Sequence, residues 1–162
     1  MPGFCTINKI AVTLQEINGM KKIVVLIAAL AAACISVASC KKVIPSVELP
    51  QPVQSFLQTE FAGIPVSYAT AELCEYEVML ADGTELEFKK NGEWKKIDMK
   101  HAAVPAGVIA TLPPTLPSYL EACFPGVPVE KIEKGCFGYK VELMNDLELR
   151  FSSKGVFRRI DD

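Results

Sequence analysis

The strongest constraint on this chain is that it repeats itself. Residues 76–98 read Y-E-V-M-L-A-D-G-T-E-L-E-F-K-K-N-G-E-W-K-K-I-D, and residues 139–161 read Y-K-V-E-L-M-N-D-L-E-L-R-F-S-S-K-G-V-F-R-R-I-D, aligned without a gap. The offset is about 63 residues, and a similarity at fixed spacing signals one structural unit used twice. Upstream, Pro50, Leu57, Phe61, Gly63, Pro65 and Val66 recur as Pro113, Leu120, Phe124, Gly126, Pro128 and Val129. Whatever residues 50–98 build, residues 113–161 are expected to build again, with residues 99–112 as linker.

Each copy opens on a helical stripe. Val53, Phe56, Leu57 and Phe61 fall at helical spacing, with Gly63 as a stop; Leu116, Tyr119, Leu120 and Phe124 keep the same face before Gly126. Pro117 sits in the first turn, where its missing N–H costs little. A first strand is expected over residues 64–72 and again over 127–133. In the second copy Val127, Val129 and Ile132 break strict alternation and leave the register open.

The next strands are better specified. Tyr76, Val78 and Leu80 alternate with Glu75, Glu77 and Met79, and Leu86 and Phe88 alternate with Glu85 and Glu87. Partners facing each other in an antiparallel pair share a face. A two-residue Asp82-Gly83 turn would mix the faces, whereas a three-residue loop over 81–83 pairs Leu80 with Thr84, Val78 with Leu86 and Tyr76 with Phe88. That loop places Gly83 in a left-handed position; the second copy has Asp146 there, beside Asn145. Residues 90–92 repeat the device and set Trp94 opposite Phe88, as residues 153–155 set Phe157 opposite Phe151. Ile97 and Ile160 then fall on the opposite parity, which requires a bulge or a curling strand end. A short helix is expected over 105–111. Each copy is small for independent stability. The expected fold is α+β, a tandem repeat of a helix packed on a four-stranded antiparallel sheet, its two units sharing a core or joined in one longer curved sheet.

Ahead of the repeats lies an address. Met20, Lys21 and Lys22 precede an uncharged apolar run ending in Val37-Ala38-Ser39-Cys40, the pattern of an export signal whose last residue is a lipid-attachment cysteine. Residues 20–39 are thus read as a lipoprotein signal peptide, Cys40 as the lipid-attachment site, and 40–49 as a tether. A membrane-spanning helix and lipid-free cleavage are the alternatives, although about 17 apolar residues is at the short limit for spanning. Residues 1–19, with Glu16 ahead of the basic head, do not fit an export signal, and translation is expected to start at Met20. The expected location is a bacterial membrane surface, facing the periplasm.

Of the remaining cysteines, Cys74, Cys123 and Cys136 are expected to be small buried apolar residues, with Cys74–Cys136 as an outside pairing. A Cys123–Cys136 bridge is disfavoured: about eight extended residues span about 26 Å, against the 7 Å or so that a disulfide allows.

No catalytic constellation is visible, and no enzyme activity, cofactor or metal site is expected. His101 is the only histidine and lies in the linker; the cysteines lack zinc spacing; the glycines are explained by turns. A net charge of -2 with 22% charged residues gives no basic footprint for nucleic acid. The outward sheet face is the remaining candidate. Glu75, Glu77, Glu85 and Glu87 make it acidic in the first copy, Lys140 and Arg150 make it more basic in the second, and Met79, Met144 and Val156 supply apolar contacts. Met79, Glu85, Glu87, Met144, Arg150 and Val156 are therefore the candidate binding residues for an unidentified protein or peptide; an ordinary solvated face is the plain alternative.

Several stretches resemble the PepSY-like, β-lactamase-inhibitor-like family. They are P-G-V-P-V at 125–129, G-Y-K-V-E-L at 138–143, L-E-L-R-F at 147–151, G-V-F at 155–157 with Ile160 and Asp161, and in the first copy Y-E-V at 76–78, D-G-T-E-L-E-F at 82–88 and N-G-E-W at 91–94. The resemblance covers residues 50–161, with Asp146 and Cys136 as departures in the second copy. It implies exported or lipid-anchored proteins with helix-plus-sheet units, similar to an inhibitor that grips its enzyme with a curved sheet. Shared fold does not establish shared function. The expectation is a non-catalytic envelope lipoprotein that binds a protein or peptide, with inhibition of a periplasmic enzyme as one form. The alternative is a structural or sensory envelope protein binding a small ligand such as a metal or a cell-wall fragment.

Overall fold

The computed structural model describes residues 41–161. Residues 1–40, and with them the expected signal peptide, lipid-attachment site and start site, lie outside the described residues. Nine strands form a single antiparallel sheet in which spatial order equals chain order. They are β1 Lys42–Ile44, β2 Val66–Ala71, β3 Glu75–Leu80, β4 Glu85–Lys89, β5 Trp94–Asp98, β6 Val129–Gly135, β7 Gly138–Leu143, β8 Glu148–Ser152 and β9 Phe157–Asp161. Three helices, α1 Gln51–Glu60, α2 Ala106–Ala110 and α3 Thr115–Cys123, fill two of the connections.

The expected tandem of helix-on-four-stranded-sheet units is not formed. β5 pairs with β6 through Lys96 to Glu133, Ile97 to Ile132 and Asp98 to Lys131, so the two halves share one sheet. Pairing there removes two edges whose backbone groups would otherwise be open to any passing strand. Part of the expected tether, Lys42–Ile44, is also a strand, pairing with β2 and burying Ile44.

The hairpin registers follow the parity reading. Tyr76 faces Phe88 and Val78 faces Leu86, and Leu80 donates its N–H to the Thr84 carbonyl at 2.9 Å. Gly83 has φ +90° and Asp146 φ +66° at the equivalent turn position. Phe88 faces Trp94 and Phe151 faces Phe157. The parity conflict of Ile97 and Ile160 is resolved by bulges: Lys95 and Arg158 are each an extra residue in the ladder. A bulge adds one residue to one strand, which turns Lys96 and Arg159 outward and returns Ile97 and Ile160 to the inner face. The broken alternation at Val129 and Ile132 has the same origin, an extra residue at Glu130.

One apolar row therefore runs straight across the sheet. Ile44, Ala69, Val78, Leu86, Ile97, Ile132, Val141, Leu149 and Ile160 are successive cross-strand partners. All are buried except Ile160, which lies on the open edge. The helices cover this face: Phe56 of α1 meets Phe88 edge-on with centroids 5.6 Å apart, and Tyr119 of α3 meets Phe151 in the same way and stacks on Phe157 at 4.6 Å. Val108 of α2 is fully buried in the same core. Truncating Ile97 or Ile132 to alanine is expected to cost about 2–5 kcal/mol, the usual range for a buried isoleucine.

The cysteines depart from expectation. Cys74, Cys123 and Cys136 are free and exposed. Cys74 and Cys136 lie in the β2–β3 and β6–β7 turns and Cys123 ends α3, so none belongs to the inner face of a strand.

Candidate binding face

The face opposite the helices carries two further straight rows. The first runs Thr70, Glu77, Glu87, Lys96, Glu133, Lys140, Arg150, Arg159, and the second Tyr68, Met79, Glu85, Asp98, Lys131, Glu142, Glu148, Asp161. Pleating dictates this, since residues two apart on a strand share a face. The first row changes sign along its length, with Glu77 and Glu87 at one end and Lys140, Arg150 and Arg159 at the other.

Like charges directly opposite one another are unfavourable in a ladder, yet Glu77 faces Glu87 and Lys140 faces Arg150. Contacts between rows and from the bulges offset this. Lys95 reaches Glu75 at 2.7 Å and Glu87 at 3.0 Å, and Lys96 reaches Glu87 at 3.5 Å and Glu85 at 3.6 Å. Lys131 bridges Asp98 at 3.5 Å and Glu142 at 3.6 Å. Arg150 joins Glu148 at 3.1 Å and Asp161 at 2.7 Å, while Arg159 also holds Asp161. The ammonium of Lys95 is held well above its usual pKa, chiefly by its hydrogen bond to Glu75 and further by Glu87. The carboxyl of Asp161 is held below its usual value by hydrogen bonds from Arg150 and Arg159.

The six candidate residues do not form one patch. Met79 and Glu85 are direct cross-strand partners with Glu87 two residues along β4. Arg150 lies in the same row as Glu87 but four strands away, roughly 19 Å at the usual strand spacing. Met144 and Val156 are exposed in turns at opposite ends of β8. Sequence reasoning missed the cations that the bulges add to this face, Lys95, Lys96, Arg158 and Arg159. The available signal was K-K-I-D and R-R-I-D, where an isoleucine of the wrong parity follows two cations.

Two further features stand out. A cleft of about 600 Å³ lies over β6–β9, lined by Glu133, Phe137, Lys140, Arg150, Arg158 and Arg159 among others. Phe137, in the β6–β7 turn, is 96% exposed. At the other end of the sheet, Glu72, Glu75 and Glu77 place carboxylate oxygens within 4.8 Å of one another, a set of hard donors of the kind a divalent cation accepts, with Lys41 paired to Glu72 and Glu77. His101 is an exposed linker residue whose Nδ1 lies 3.9 Å from Glu130. Among the described residues no helix is long and apolar enough to cross a membrane.

The fold has known counterparts. A Bacteroides vulgatus protein described as a "putative periplasmic protein of unknown function" is 34% identical over 75% of this chain and 99% of its own, with a TM-score of 0.69. A second B. vulgatus protein, described as a "putative periplasmic protein", is 32% identical over 77% of this chain and 99% of its own, TM-score 0.71. A Bacteroides thetaiotaomicron protein described as a "putative calcium-regulated periplasmic protein" is 33% identical over 75% of this chain and 97% of its own, TM-score 0.68. No curated protein matches the chain. Residues 74–159 match the family described as "Putative beta-lactamase-inhibitor-like, PepSY-like". With about half its length inside that family's pattern and solved relatives 32% to 34% identical over three quarters of it, this chain belongs to the PepSY-like, beta-lactamase-inhibitor-like family.

Proposed function

We propose that this is an exported protein, anchored by a lipid on Cys40, whose open sheet face binds a protein or peptide on the periplasmic side without catalysing a reaction. The observation that carries this reading is the pair of rows, charged along most of their length from β3 to β9, on the face opposite the helices. Such a face combines length, fixed charge order and rigid backbone, which favours recognition of a specific partner over non-specific contact. The periplasmic description of the solved relatives supports the location. Inhibition of a periplasmic enzyme is the specific form of binding to assay.

The test is affinity capture from envelope extracts with the mature protein, comparing wild type with Met79→Asp and Met144→Asp. Loss of a discrete partner supports the face; unchanged recovery with both variants removes it. For the anchor, Cys40→Ser should release the protein from the membrane fraction, and continued membrane association without fatty-acid label would contradict the lipid.

A second reading, a small-ligand sensor, is favoured by the Glu72, Glu75 and Glu77 cluster and by the calcium description of one relative. Calorimetric titration with calcium should then show saturable heat that Glu75→Gln abolishes. An equal heat from the variant sinks this reading.

A further inference from the structure

We propose that the cleft over β6–β9 receives an extended acidic segment of a partner protein, its carboxylates on the cationic side chains and an apolar side chain against Phe137. The proposal rests on the reading of the open face as protein-binding and names the partner chemistry at one end of it. Of the charged groups lining the cleft, Lys140, Arg150, Arg158 and Arg159 are cationic and Glu133 alone is anionic. Glu148 and Asp161, from the neighbouring row, hold Arg150 and Arg159 in place without exhausting them. A guanidinium has five N–H donors. Arg150 uses its Nε and one Nη on these carboxylates, and Arg159 uses its Nε. Arg158, the bulge residue, is exposed and forms no ion pair among the described residues. Four cations with spare donors, spread over three adjacent strands, match carboxylates repeated along an extended chain better than one compact anion.

Phe137 supplies the apolar half of the recognition. It stands 96% exposed at the tip of a two-residue turn, with Gly135 paired to Gly138 beneath it. The backbone beneath the ring packs closely on β8: Gly138 has φ +138°, and a Cβ there would lie 1.9 Å from the Phe151 carbonyl oxygen. An exposed aromatic ring beside arginines has the composition of an interface hot spot. The equivalent end of the first half has Glu77 and Glu87 where the cleft has Lys140 and Arg150, so an acidic segment is steered to the C-terminal half.

The probe is a cellulose-bound array of hexapeptides of graded net charge, each made with and without a phenylalanine. It is incubated with the mature protein, with Arg158→Glu, with Phe137→Ser, and with Lys42→Glu as a remote charge control. Wild type and Lys42→Glu should retain acidic peptides that contain phenylalanine. Each cleft variant should lower that retention at least tenfold, and 0.5 M NaCl should weaken it. Retention of basic peptides to the same degree, retention unchanged in both cleft variants, or no retention of any acidic peptide would overturn the proposal. Both substituted residues are exposed, so an unfolded variant is not expected; far-ultraviolet circular dichroism checks this. If envelope capture is lost in Met79→Asp and Met144→Asp but kept in Arg158→Glu and Phe137→Ser, the face reading stands and the cleft falls. If capture fails with wild type while the array shows the expected pattern, the cleft stands and the broader face reading falls.

Discussion

The ammonium of Lys134 lies 3.3 Å over the centre of the Trp94 ring. The contact bridges β5 and β6, the two strands that join the halves of the sheet. Burial pushes the Lys134 pKa down to about 8, with Glu93 opposing and Lys89 adding to the shift, while the ring face favours the charged form. Because the folded pKa lies below the unfolded value of about 10.4, the unfolded chain binds more protons between the two. Stability should therefore rise with pH from about 8 to about 10.5. Trp94 is the only tryptophan, so its emission should titrate with a midpoint near pH 8 and lose that transition in Lys134→Met. A midpoint above 10 in the native protein would contradict the arrangement.

Asp98 is the ionic hub of the same seam. It is 7% exposed and lies 3.1 Å from Lys100, 3.5 Å from Lys131 and 4.0 Å from Lys96. Burial alone would raise its carboxyl pKa, but the Lys100 hydrogen bond and the charges of Lys100 and Lys131 outweigh it and hold the value below normal. Asp98→Asn should cost about 1–3 kcal/mol at pH 7 by leaving clustered lysines unneutralised. Since the folded pKa is depressed, this contribution is present above the unfolded value of about 3.9 and fades as pH falls through the lower folded value. Urea unfolding should show the wild-type advantage at pH 7 and little of it at pH 2; a gap unchanged between the two would be inconsistent with the ion pairs.

Two turn positions should respond in opposite directions. Gly138→Ala brings a methyl into the Phe151 carbonyl and should cost about 3 kcal/mol or more. Asp146→Gly replaces a non-glycine residue at φ +66° and should be neutral or stabilising by up to about 1 kcal/mol. Thermal melts of the pair decide it, and equal shifts for both would count against the turn geometry.

The exposed thiols make a third kind of prediction. In an unlipidated Cys40→Ser protein, Cys74, Cys123 and Cys136 should all react with a thiol reagent at native pH without denaturant. A cysteine that reacts only after unfolding would be buried in solution.

Within each hairpin, parity and turn residues were enough to place Tyr76 on Phe88 and Phe88 on Trp94, because a period of two leaves few registers that keep one face apolar. The candidate face was partly readable for the same reason: Glu85, Glu87 and Arg150 had to point away from Leu86, Leu149 and Phe151. Lys96 and Arg159 escaped that logic, since the extra residue at Lys95 and at Arg158 reverses the parity of everything that follows it on the strand.

The sequence by itself determined what is local in this protein: the duplicated helix and hairpins, the turn positions at Gly83 and Asp146, and the apolar stripe facing the helices. Tertiary structure alone decided that β5 meets β6, that Lys42–Ile44 adds a ninth strand, and that Arg150, Arg158 and Arg159 share a cleft with Phe137. Side-chain alternation and turn chemistry act over a few residues and are written in neighbouring letters. Strand edges present nearly identical backbone donors and acceptors whatever their sequence. Which edges join is settled only when the apolar row from Ile44 to Leu149 closes under the helices, and that closure also sets which charges meet on the opposite face.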